Sequence, residues 1–154
     1  MRYLVDTNLL VRRVDSASPM HSVATAAIVT LILAGHELFI TPQVIVELAA
    51  TLTRPVAANG LGLATADVSE IIAEICRDFE VLQDNARVFT EWLDLFSDGK
   101  GIGREVYDMR IVAAMRVHGI DDLLTFNVDD FRRYATLNVV HPADISALQD
   151  TNQI

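Results

Sequence analysis

Apolar residues along the chain gather into five short runs, at residues 3–5, 37–40, 79–82, 123–125 and 139–140, separated by longer stretches of helical character. Short apolar runs bounded by polar turns predict buried strands. Between them, Leu9-Leu10-Val11 starts a helix after Asp6-Thr7-Asn8, and an Ala-rich helix over about residues 23–34 is closed by Gly35. Thr41 reads as N-cap and Pro42 as first residue of a helix through Ala50 that stops before Pro55. Three more helices are predicted: from Thr65 through Ile75, over 87–96, and over 106–118 with Gly119 past its end. Asn59-Gly60-Leu61-Gly62 and residues 97–101 read as loops.

Strands alternating with helices predict an α/β fold, a central parallel sheet flanked by helices on both faces. With no linker, repeat or low-complexity segment, the 154 residues read as one domain, its core about residues 2–148. In such sheets functional groups collect beyond the carboxyl ends of the strands. The polar residues directly after each strand are therefore the candidates.

Composition narrows the function classes. Twelve Lys and Arg against twenty-one Asp and Glu give a formal charge of −9, which excludes a protein that grips nucleic acid with a broad basic face. The single cysteine, Cys76, excludes an intrachain disulfide framework and a cysteine-rich zinc site, and favours a reducing compartment. His21, His36, His118 and His141 are dispersed; His118 reads as a helix C-terminal residue and His141 as a surface residue. No signal peptide is visible, and the longest apolar stretch, residues 23–33, is too short to span a bilayer. A soluble cytoplasmic protein is expected.

Several acids stand where a purely structural role fits poorly. Asp6 follows the first strand and reads as a helix cap or a site carboxylate, although Asn8 can cap in its place. Glu47 lies in Val44-Ile45-Val46-Glu47-Leu48-Ala49-Ala50, a helix apolar nearly all round and so expected to be buried. There it needs a cation or an arginine partner such as Arg54 or Arg110. Asp108 shares a helix face with Ile111 and Val112, in a first turn where the dipole also favours it; Glu105 reads as a solvated charge. Asn127, Asp129 and Asp130 follow the fourth strand at Thr125, the two acids also reading as caps of a short helix. Asp121 and Asp122 fall at the opposite end of the sheet. Carboxylates gathered at one edge repel unless a cation lies among them, and an all-oxygen site suits Mg²⁺ or Mn²⁺. A Mg²⁺-dependent phosphoryl-transfer site follows.

Four segments then carry a resemblance: Tyr3-Leu4-Val5-Asp6-Thr7-Asn8, Thr41-Pro42-Gln43-Val44-Ile45-Val46-Glu47, Tyr107-Asp108-Met109-Arg110-Ile111-Val112-Ala113, and Leu123-Leu124-Thr125-Phe126-Asn127-Val128-Asp129-Asp130-Phe131. With His118-Gly119-Ile120, their order and spacing resemble the PIN-domain nucleases, and among them the VapC-type toxins of VapBC toxin–antitoxin modules, over residues 3–142. The resemblance implies a PIN-like fold with Asp6, Glu47 and Asp108 as catalytic acids and Asn127, an amide, at the fourth acidic position. Asp6, Asp108 and Glu47, directly or through water, would hold Mg²⁺, with Asp130 the nearest further carboxylate; Mn²⁺ would substitute. Thr7, Asn8 and Thr125 would support the acids. The implied activity is cleavage of tRNA, rRNA or mRNA by metal-activated water, leaving a 5′-phosphate and a 3′-hydroxyl. The implied partners are a VapB-type antitoxin and a second copy of the chain, the helices near 23–33 and 71–75 reading as interface or as core.

Two other classes compete. A phosphoacceptor receiver domain needs a lysine late in the sheet, and the chain has only Lys100; a P-loop is excluded by the absence of Gly-Lys-Ser/Thr after a strand. A catalytically silent PIN fold that binds RNA or a protein is the second, and the amide at Asn127 is its argument.

Overall fold

A computed structural model describes residues 1–98 and 101–145. Gly99 and Lys100 of the predicted loop, and the end of the expected core after residue 145, lie outside the described residues. Five strands form one parallel sheet: β1 (Arg2–Val5), β2 (Glu37–Ile40), β3 (Glu80–Val81), β4 (Asp122–Leu124) and β5 (Asn138–Val140), in the order β3-β2-β1-β4-β5. The helices are α1 (Thr7–Val14), α2 (His21–Leu33), α3 (Pro42–Thr53), α4 (Thr65–Asp78), α5 (Ala86–Ser97), α6 (Glu105–His118) and α7 (Val128–Phe131).

The strand order locates the site before any side chain is considered. The first two crossovers step from β1 to β2 to β3, and the third returns across β1 to β4. Right-handed crossovers place the helices of the outward steps on one face and those of the return on the other. The connections therefore diverge between β1 and β4, and that is where a parallel sheet opens a crevice at its carboxyl edge. Register carries this edge one residue further: the Asp6 N–H donates to the Leu124 carbonyl at 3.0 Å and the Thr125 N–H to the Val140 carbonyl at 3.1 Å. Thr125 therefore follows β4 by one residue while still bonded to the end of β5.

Local chemistry explains the element ends. Thr41 caps α3, its hydroxyl accepting from the Val44 N–H at 3.2 Å, with Pro42 first in the helix. Gly119 ends α6 at φ 63°, a left-handed conformation that glycine adopts without strain. Arg2 donates to the His118 and Gly119 carbonyls at that same terminus. His118 is also bonded through Nε2 to the Gln83 carbonyl at 2.9 Å, so it links two segments besides facing the dipole. His141 packs edge-on against Phe126, with ring centroids 5.3 Å apart.

The core is a contiguous cluster centred on Leu4 and Val5 of β1, which are fully buried between β2 and β4. Each such side chain contributes roughly 2 kcal/mol of burial. In α2, Ala24, Ala27, Ile28 and Leu31 join this core while Val29, Ile32 and Leu33 face outward, so the helix is core on one side only. In α4, Val68 and Ile75 are buried and Ile71 and Ile72 pack against them. The expectation that α3 is buried all round is corrected. Val46 is 67% exposed, because α3 packs on its Val44, Leu48 and Leu52 side and leaves the rest at the surface. Among the described residues no helix is long and apolar enough to cross a membrane.

Candidate active site

Asp6 stands at the N-cap position of α1 but makes no side-chain capping bond. Its carboxylate is buried and held from beneath instead. The Thr125 hydroxyl donates to Oδ2 at 2.6 Å, and Asn8 Nδ2 donates to the same oxygen at 2.7 Å. Asn8 Nδ2 also reaches Thr125 Oγ1 at 2.9 Å, and Asn8 Oδ1 accepts the Phe126 N–H at 3.1 Å. Asn8 is therefore not a cap; it ties the start of α1 to the segment after β4. Thr125 Oγ1 further accepts the Asn127 N–H at 3.0 Å, which fixes the backbone of Asn127 at the cleft.

Glu47 is half-buried and has no arginine partner among the described residues. Thr7 Oγ1 donates to Oε2 at 3.0 Å and Gln43 Nε2 to Oε1 at 2.7 Å, while Arg110 pairs with Asp84. Gln43 also donates to the Tyr107 carbonyl at 3.1 Å, which joins α3 to the turn of α6 carrying Asp108. Glu105 is not simply solvated: it pairs with Arg133 at 2.9 Å and accepts the Ile102 N–H, bracing the start of α6.

These residues line one cleft of about 520 Å³, with Asp6, Thr7, Asn8, Glu47, Asp108 and Asn127 all on its walls. Thr125 lies beneath it, fully buried. Asp130 borders an adjoining depression instead, together with Asn127, and acts on Asp108 through its charge. Asp129 and Asp130 sit inside α7 rather than capping it, and Asp129 pairs with Arg132 at 2.7 Å. Asp122 bonds Asn138 at the far end of the sheet. The wall residues Arg12 and Arg104 escaped the sequence reading, as did Gln43, which stands off the wall and holds Glu47. Only Gln43 left a signal, its spacing of one helical turn before Glu47.

The acids perturb one another. Asp6 is pushed up to about 6, first by burial and further by the charge of Glu47, against the pull of the Thr125 hydroxyl. Asp108 also rises to about 6, by burial and then by Asp6 and Asp130, although Arg104 and Arg133 oppose this. The helix-dipole position of Asp108 is thus outweighed. Paired carboxylates with raised affinity for protons are groups that a divalent cation would discharge. Among the described residues no three His, Cys, Asp or Glu side chains converge as a ready-made cage. Mg²⁺ does not require one, since it keeps several waters and takes one or two carboxylates. Asp6 and Asp108 fit that demand.

A carboxyl whose folded pKa lies above its unfolded value of 3.8 holds its proton more tightly in the folded chain. Metal-free protein is therefore expected to gain stability as pH falls from above about 6 toward about 4, on the order of 2 kcal/mol for buried Asp6. Thermal unfolding in EDTA should give a higher midpoint at about pH 5 than at about pH 8, and Mg²⁺ should narrow the gap by stabilising the ionised site. A midpoint that falls on acidification over this range would contradict the raised carboxyls.

A parallel α/β sheet with a carboxylate cleft at its switch point is an arrangement shared by several classes of α/β protein. Among them, the chain belongs to the PIN domain family, whose pattern matches residues 3–137. It is 28% identical over 145 residues to ribonuclease VapC24 of Mycobacterium tuberculosis, covering 90% of this chain and 94% of that one. Its fold is similar to VapBC2 of Rickettsia felis bound to a promoter DNA fragment, with TM-score 0.66, 16% identity, and 92% and 98% of the two chains covered. It is also similar to VapC20 of Mycobacterium tuberculosis, a sarcin-ricin loop cleaving toxin, with TM-score 0.61, 15% identity, and 86% and 95% covered.

Proposed function

We propose that the chain is a Mg²⁺-dependent endoribonuclease, the toxin of a VapBC-type pair, acting in the cytoplasm as one domain. The observation that carries this reading is that Asp6, Glu47 and Asp108, from three separate elements, line one cleft of a PIN fold. The name of the 28% identical relative and the toxin–antitoxin complexes among fold neighbours support it. A VapB-type antitoxin is the proposed partner. Exposed apolar residues of α2 and α5, among them Leu33 and Phe89, support self-association into dimers.

Bound Mg²⁺, or Mn²⁺ in its place, would acidify water and neutralise charge on phosphoryl oxygens. Asp6 and Asp108 are the proposed ligands, with Glu47 acting directly or through water. Glu47 is aimed by Thr7 and Gln43, and can hold a water for attack on phosphorus. Asn127, its backbone fixed by Thr125, is proposed to donate its amide to that water or to a phosphate oxygen. No side chain need become a nucleophile, and the products carry 5′-phosphate and 3′-hydroxyl ends.

Purified chain incubated with tRNA and rRNA in Mg²⁺ should yield fragments with 5′-phosphates. EDTA should abolish cleavage, and added Mg²⁺ or Mn²⁺ should restore it. Metal-loaded protein that binds these RNAs and cuts none of them would return the silent binding fold in place of the enzyme.

A further inference from the structure

Besides its carboxylates, the cleft is lined by Arg12, Arg54 and Arg104. Five of the other arginines, Arg13, Arg110, Arg116, Arg132 and Arg133, are engaged by carboxylates. Among the described residues the three at the cleft form no ion pair, although acids stand beside them. These three guanidinium groups are exposed to solvent on the rim of the acid cluster, where an anionic chain passing over the carboxylates can reach them.

Each arginine reaches the cleft for a local reason. On α1, Asn8, Val11 and Arg12 follow at i, i+3 and i+4 and share one face. That puts Arg12 about 9 Å along the axis from Asp6, far enough to meet a different phosphate from one held among the acids. On α3, Glu47, Thr51 and Arg54 repeat at i, i+4 and i+7, so Arg54 continues the face that carries Glu47. The following loop folds back on it: the Gly62 N–H donates to the Arg54 carbonyl at 2.8 Å, and a Cβ at Gly60 would lie 2.0 Å from that oxygen. Glycine alone permits this approach, which fixes the backbone from which Arg54 projects. Arg104 immediately precedes α6, its charge acts on both Asp6 and Asp108, and it borders the cleft and the adjoining depression at once.

We propose that Arg12, Arg54 and Arg104 bind backbone phosphates of the RNA flanking the one held among the carboxylates. This rests on the ribonuclease reading and adds the groups that grip the substrate. Recognition of this kind is independent of base identity and weakens with salt.

The test uses full-length Asp6→Asn protein in Mg²⁺, so that RNA stays intact, and a short fluorescein-labelled single-stranded RNA read by fluorescence anisotropy over a series of NaCl concentrations. Adding Arg12→Gln, Arg54→Gln or Arg104→Gln should weaken binding severalfold and reduce the slope of log Kd against log salt by about 0.7 each. Arg77→Gln and Arg87→Gln, on α4 and α5 away from the cleft, should change neither. Unchanged slopes in the three cleft variants overturn the proposal, and wild-type cleavage in Mg²⁺ would then leave the ribonuclease reading standing. Absence of both binding and wild-type cleavage sinks the two together. If Arg104 merely screens the acids, Arg104→Gln in the active chain shifts the acid limb of the pH–rate profile upward with no change in salt slope, which removes it from the set.

Discussion

Replacing Asp6 by asparagine is expected to lower RNA cleavage by at least about a hundredfold while the fold persists. The site loses its buried carboxylate, the charge best placed to hold a cation beneath a phosphate. The hydrogen-bond network survives, because an amide oxygen can accept from the Thr125 hydroxyl and Asn8 Nδ2 as Oδ2 does now. Removing a buried charge that burial already disfavours should leave the metal-free unfolding midpoint equal or higher. Asp108→Asn should act in the same direction. In cells, induced wild-type chain should arrest growth and the Asp6→Asn chain should not. Arrest that persists in the variant, with folded protein confirmed by circular dichroism, would separate toxicity from this cleft.

Thr125→Val is expected to cost about 2–4 kcal/mol of stability and to lower turnover by roughly 10- to 100-fold. The substitution is nearly isosteric, so packing is not the reason. One buried hydroxyl serves three partners: it donates to Asp6 and accepts from Asn8 Nδ2 and the Asn127 N–H. Valine leaves those groups short of a partner where water has little access, and releases both the carboxylate and the Asn127 backbone from their positions. Thr125→Ser should restore most of the activity because it keeps the hydroxyl. If valine matched wild type in both midpoint and turnover, Thr125 would be filler and the support of Asp6 would have to be sought elsewhere.

Much of the architecture was legible because the chain is locally consistent. The runs at 3–5, 37–40 and 123–125 became β1, β2 and β4 within a residue, and the Thr41-Pro42 and Gly119 signals marked true helix ends. Those signals act over one helical turn, through bonds and steric limits that neighbours in sequence decide. Asp6, Glu47 and Asp108 stood out in the sequence for other reasons: Asp6 directly follows a strand, and Glu47 and Asp108 are acids on helices among residues that should be buried. The partners of these acids did not. Glu47 has the length and charge to pair with Arg54 or Arg110, and nothing local excludes either; packing gave Arg110 to Asp84 and Glu47 to Thr7 and Gln43. Asn8 reads as a cap or as a support for the acids, and its contact with Thr125 lies 117 positions away.

By itself, then, the sequence determined the alternation of strands and helices, the family pattern, and which acids were out of place, since periodicity and the cost of buried charge are properties of short segments. Only the tertiary structure decided which of those acids share a cleft, that Asp130 stands outside it, and that three arginines stand within it unpaired. The reversal of strand order between β1 and β4 brings residues 6, 47, 108 and 127 together, and that reversal is set by how helices cover a twisted sheet, which no local stretch of chain encodes.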